Sequence, residues 1–203
     1  MAQESLAQDY RAFVDPGDLA GDIEVLCAPE HLAPAAIGAL GWSGAALPPA
    51  ALLGRRVAVV AELRTDVHNQ RKARGWGPVT DRVSVSTWGW PEMARLAPPP
   101  AVRLCGILAP ARHWRTGLTA VAPFLGMCPT ALLLPPDIAR DVRCLAYADH
   151  YGPSIVAAAG RYDPDAVDVV RTPHIGPFPA TPPNALSRWM HELVYDRLLR
   201  LSA

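Results

Sequence analysis

The chain has 203 residues, 50 % of them hydrophobic and 19 % charged, with nineteen basic side chains against nineteen acidic ones. That length suits one domain with a core that needs no disulfide or metal staple, and that composition excludes a disordered chain. The zero net charge excludes a surface basic all over, and no apolar run reaches the roughly 18–20 residues of a membrane span.

Leu6, Tyr10 and Phe13 fall at i, i+4, i+7 and predict a short amphipathic helix over residues 4–14. Asp15-Pro16-Gly17-Asp18 reads as a turn, and Ile23 to Cys27 as a short strand. Pro29 opens a helix running to Leu40. Residues 43–51, small and Pro-containing, read as a loop. Arg56 to Leu63 is a near-continuous apolar run, which suits a strand buried on both faces. Thr65 is placed to cap a helix running to about Gly75. The Val-Ser alternation of Val83 to Thr87 predicts a second strand, and the Pro triplet 98–100 ends the block.

A second block reads as a strand (Val102 to Leu108), a helix from Arg112 to Leu125 limited by Pro123, and a strand (Thr130 to Leu134) stopped by Pro135-Pro136. A helix from Ile138 to His150 follows. Short strands at 154–158 and 167–170 flank a turn at Tyr162-Asp163-Pro164-Asp165. Residues 172–183 are Pro-rich and extended. Asn184 caps a last helix over 184–201, with Leu186, Trp189, Met190, Leu193 and Leu198 as its apolar stripe. Residues 56–87 and 103–134 overlay without a gap as two strand-helix-strand units. The expectation is one α/β domain over residues 1–203, with a central mixed or mostly parallel sheet flanked by helices and a C-terminal helix.

Cys27, Cys105, Cys128 and Cys144 show no CxxC spacing, and Cys27 and Cys105 sit in apolar runs. They read as reduced cysteines of a cytoplasmic protein. The first thirteen residues lack a basic region followed by an apolar core, so no secretory signal is expected. Charge is unevenly spread. Residues 1–30 carry seven acids and one base, whereas residues 55–82 carry seven bases and three acids. The basic stretch is a candidate phosphate-binding face for nucleic acid.

Glu62 lies near the end of a buried strand, and alternation points Glu62 and Arg64 the same way. A carboxylate and a cation so placed can hold a divalent metal and steady a phosphate. The run AVVAELRTDVHNQRKARGWGPVTDRVSVSTW resembles the centre of a PD-(D/E)xK (restriction-endonuclease-like) nuclease domain. Glu62-Leu63-Arg64 stands in for Glu-x-Lys, with Arg for Lys. Gln70 and Lys72 fall on the following helix, and Asp81-Arg82-Val83 opens the return strand. The resemblance implies metal-dependent phosphodiester hydrolysis, with Mg²⁺ held by Asp22 and Glu62. Arg64 would contact the phosphate, Lys72 would stabilise developing charge, and Gln70 would orient the water or the helix–strand unit. An Arg cannot lose its proton as the usual Lys can, and a degenerate relative is equally allowed.

In a second register of the same fold, His113-Trp114-Arg115 through Leu134 would follow the site strand. Leu108-Ala109-Pro110 then stands where the acid and Lys should be, and the site is lost. Other candidates are Asp149-His150-Tyr151 at a helix end, a small-molecule pocket near His113 and His150, and His68 as a metal ligand beside Glu62. Ser84 and Ser86 lack a nucleophile elbow, and no GxGxxG or Walker A run appears. Trp88, Trp90 and Trp189 read as core or interface anchors. The alternative function is a non-catalytic protein-interaction or scaffolding domain that uses Pro-rich edges and an exposed Trp.

Overall fold

A computed structural model describes residues 29–158, 167–172 and 184–202. The expected helix at 4–14, the strand at 23–27, the turn at 162–165 and the extended run ending at 183 lie outside those residues, wholly or nearly so.

Six strands form one sheet in the order β1-β2-β3-β4-β5-β6, so spatial order repeats chain order. They are β1 (Ala45–Leu52), β2 (Arg55–Leu63), β3 (Val102–Pro110), β4 (Thr130–Leu134), β5 (Ser154–Ala158) and β6 (Val167–Arg171). β1/β2, β2/β3 and β5/β6 pair antiparallel, while β3/β4 and β4/β5 pair parallel. The sheet is therefore mixed and the class α/β, as the sequence predicts.

The helices are α1 (Pro29–Ala39), α2 (Thr65–Ala73), α3 (Arg82–Thr87), α4 (Pro91–Ala94), α5 (Trp114–Val121), α6 (Pro136–Ala139), α7 (Val142–Tyr151) and α8 (Ala185–Ser202). β2 shows why both faces are covered. Val57, Val59 and Ala61 pack with Val67, Val121, Ala148 and Met190 from α2, α5, α7 and α8. Ala58 and Val60 pack with Leu32, Ala36 and Ile37 of α1. The connectors from β3 to β4 and from β4 to β5 thus lie on one face together with α8, and α1 lies on the other.

Several elements depart from expectation. Residues 45–52 form an edge strand, not a loop. Pro48 and Pro49 hid it, since Pro cannot donate to a ladder, and the register shifts between Leu47 and Ala50. The hairpin to β2 turns at Leu53 and Gly54, both at positive φ (52° and 73°), the conformation of a two-residue I′ turn. Residues 83–87 belong to α3 and not to a strand. The Asp81 side chain accepts from Ser84 N, and Ser86 and Thr87 donate back to Val83 O and Ser84 O, so local caps overrode the alternation. The two strand-helix-strand units therefore do not match: the first lacks its return strand, and β2/β3 is antiparallel where β3/β4 is parallel.

Thr65 is the first residue of α2, not its cap; Arg64 holds the cap position without a side-chain bond. The helix expected over 112–125 runs from Trp114 to Val121 and tightens into a 3₁₀ turn at Ala122–Phe124 around Pro123. The one expected over 138–150 divides into α6 and α7, because the Asp141 carboxylate caps a new start by accepting from Arg143 N and Cys144 N. Asn184 does cap α8, accepting from Ser187 N at 2.8 Å. On α8, Met190, Val194, Tyr195 and Leu198 are buried, while Leu186 is exposed.

Candidate functional surfaces

Glu62 is the penultimate residue of β2, on the α1 side of the sheet. Its partner across the ladder is Arg103, near the start of β3. Arg103 Nε and Nη2 donate to the same Glu62 oxygen at 3.0 and 2.5 Å, and both side chains are exposed. The hydrogen bond to Glu62 holds the Arg103 guanidinium above its ordinary value. Arg64 lies past the strand end, with Asp66 at 4.0 Å. Gln70 and Lys72 are exposed on α2. Asp22 lies outside the described residues, so its expected place beside Glu62 is not described. Among the described residues, no three His, Cys, Asp or Glu side chains gather at metal-binding distance. His68 is part-buried and shares a 2.8 Å hydrogen bond with the Tyr195 hydroxyl.

Between the exposed Gln70 and Lys72 lies Arg71, fully buried. It forms a bidentate pair with the equally buried Glu192 of α8, at 2.7 and 2.8 Å. Its remaining N–H groups go to the carbonyls of Trp76, Gly77 and Pro99. Glu192 also accepts from Val79 N at 2.8 Å. The Arg71 guanidinium stacks 4.9 Å from the Tyr195 ring centroid, and burial pushes the Tyr195 phenol up. Every donor of Arg71 is used, so the network is structural: it ties α2, α8 and the chain at 76–79 together. Sequence reading missed it. The available signal was an acid at 192 on the stripe shared by Trp189 and Tyr195.

The chain between α2 and β3 presents large apolar groups to solvent. Trp76 is 41 % exposed, Val83 72 %, Trp90 62 % and Leu96 66 %. Arg74 lies over the Trp76 ring at 4.9 Å, and Arg82 over the Trp189 ring at 5.6 Å. Trp189 also donates from Nε1 to Thr80 O at 2.8 Å, which holds this stretch to α8. Trp90 is thus on the surface, while Trp88 and Trp189 are half-buried.

The basic stretch 55–82 is not one face. Arg55 and Arg56 begin β2 and the other bases follow its end, so the nine-residue strand separates them by about 25–30 Å. His113 and His150 are likewise parted. His113 follows the end of β3, His150 precedes the start of β5, and β3 to β5 run parallel. Between them runs a chain of rings: Trp114–Tyr147 at 4.8 Å, Tyr147–Tyr151 at 5.9 Å, and His150 edge-on to Tyr151 at 4.6 Å. Asp149 pairs with Arg171. The hydroxyls of Ser84 and Ser86 are occupied, donating to the Asp81 carboxylate and to Val83 O. Cys105, Cys128 and Cys144 are free thiols, and burial pushes Cys128 up to about 12 and Cys144 up to about 11. No helix among the described residues is long and apolar enough to cross a membrane. Neither a family model, nor a curated protein, nor a solved structure matches the chain.

Proposed function

We propose that the chain is a protein-interaction domain that docks an acidic partner on the surface between α2 and β3. The observation that carries this reading is the exposure of Trp76, Val83, Trp90 and Leu96 within one short stretch. Large exposed apolar groups this dense along one connecting segment support a contact surface there, and Trp and Arg are the residues that dominate interface energies. The bases around them, Lys72, Arg74, Arg82 and Arg95, outnumber the acids Asp81 and Glu92. Asp81 is further committed to capping α3. An acidic rim on the partner complements that charge. The sheet also favours a surface over a pocket. Both parallel crossovers lie on one face, so β3 to β5 contain no switch point where a crevice would open.

A second reading rests on Glu62. Its carboxylate is exposed at the end of β2, with Arg64, Gln70 and Lys72 exposed just after it. In that reading Glu62 exchanges Arg103 for Mg²⁺ shared with Asp22, and the domain hydrolyses phosphodiesters. One set of variants separates the two. Proteins retained by the wild-type domain from its own cell extract are identified by mass spectrometry and re-tested as purified partners. Under the first reading, Trp76→Ala with Trp90→Ala loses the identified partner and Glu62→Gln keeps it. Under the second, wild-type protein cleaves plasmid, single-stranded DNA or RNA with Mg²⁺ or Mn²⁺, and Glu62→Gln does not. A partner bound equally by all variants overturns the docking surface.

A further inference from the structure

The neutral total hides an asymmetry. With seven acids and one base in residues 1–30, residues 31–203 hold eighteen bases against twelve acids. The sheet gathers part of that excess along the edge where β3, β4 and β5 end and β2 begins. Arg55 and Arg56 open β2. Ala58 pairs with Leu108, which sets those two bases beside Pro110 and the turn carrying Arg112 and His113. Arg115 follows in the first turn of α5, whose N-terminus has no side-chain cap. Pro110 pairs with Leu133, so β4 ends level with this turn, and the short α6 leads on to Arg140 and Arg143.

Among the described residues this edge holds three acids, of which Asp137 is exposed on α6. Asp168 is taken by Arg140 at 2.8 Å, and Asp141 caps α7. Arg55, Arg56, Arg115 and Arg143 form no ion pair among the described residues. Four strands side by side, about 4.8 Å apart, make an edge about 15 Å long, the scale of several consecutive backbone phosphates. The aromatic groups here are turned to each other: Trp114 lies against Tyr147 and beneath Arg115, whose guanidinium is 5.2 Å from the ring. Among the described residues the one Trp of this edge is thus already packed, and the edge offers chiefly charge.

We propose that this edge binds the phosphodiester backbone of a nucleic acid, by charge and without reading bases. The surface is distinct from the one between α2 and β3 and does not depend on it. The test is fluorescence anisotropy with a labelled duplex DNA and a duplex RNA of equal length, over a salt series. The triple variant Arg55→Gln/Arg56→Gln/Arg143→Gln weakens binding about tenfold or more at low salt. It also flattens the slope of log K against log salt by about 2–3. The milder pair Arg56→Gln/Arg143→Gln gives an intermediate loss and guards against a folding defect in the triple. Arg171→Gln, at the opposite edge where β6 ends, leaves binding unchanged. The DNA and RNA arms show which backbone is preferred. No salt-dependent binding to either duplex overturns the proposal. Equal losses in the triple variant and in Arg171→Gln, or binding to anionic vesicles alone, also overturn it.

Discussion

Arg71 and Glu192, 121 residues apart in the chain, face each other as a fully buried bidentate ion pair. Removing one partner leaves a buried charge uncompensated, which costs about 3–5 kcal/mol. It also frees the carbonyls of Trp76, Gly77 and Pro99 or the amide of Val79. Glu192→Ala therefore lowers the thermal midpoint on the order of 10 °C for a chain of this size. Arg71→Met with Glu192→Leu recovers much of that loss, because burying two apolar groups removes the desolvation cost. Calorimetry of the single and double variants tests this; a Glu192→Ala midpoint equal to wild type contradicts it.

The Glu62–Arg103 pair differs in kind. Both side chains are about half exposed or more, so solvent screens the pair. Glu62→Gln shifts the thermal midpoint by no more than about 2 °C. That makes it a clean probe in the cleavage assay, where a change in activity cannot be blamed on unfolding. A large drop in the midpoint would mean that Glu62 has a structural role not seen in its contacts.

The buried thiols make stability depend on alkaline pH. Burial raises Cys128 to about 12 and Cys144 to about 11, from 9.0 in the open chain. Between pH 9 and those values the unfolded chain gives up thiol protons that the folded chain keeps. The stabilisation is thus complete below pH 9 and fades as pH rises through 11 to 12. Denaturant melts at pH 8 and pH 10.5 show the loss, and Cys128→Ala with Cys144→Ala reduces the difference between them. In the native protein, alkylation at pH 8 reaches Cys105 before either buried thiol.

Gly106 sits in β3 beneath the Trp42 ring, where an added Cβ would lie 2.2 Å from a ring carbon. Gly106→Ala pushes the indole off the sheet and costs about 1–3 kcal/mol. A red shift in Trp emission together with a lower denaturation midpoint is the expected outcome. An unchanged spectrum would show that the ring moves freely.

Much of the fold was legible in the sequence, for definable reasons. β2 and β4 stood out because strands buried on both faces need unbroken apolar runs. Asn184 marked the start of α8 because a side-chain oxygen must satisfy free amides there. Two errors came from trusting one local cue. Pro48-Pro49 looked like a loop, but an edge strand tolerates Pro. Val83 to Thr87 alternated like a strand, but Asp81 capped a helix there and the hydroxyls at 86 and 87 bonded to carbonyls one turn back. The candidate site was harder because closeness in the chain is not closeness in space. The bases at 55–56 and 64–82 read as one patch until β2 set them apart, and Arg71 read as one more exposed base until Glu192 came back to it.

The sheet order has a consequence for how the protein is made. Each strand pairs with the one synthesised just before it, so the sheet can assemble progressively as the chain leaves the ribosome. α8 comes late and packs back onto β1, β2 and β3. Until residues 185–202 arrive, the Arg71 guanidinium has no counter-ion, and the sheet surface that Met190, Val194 and Leu198 cover stays open. Docking of α8 supplies the counter-ion and covers that apolar surface in a single step.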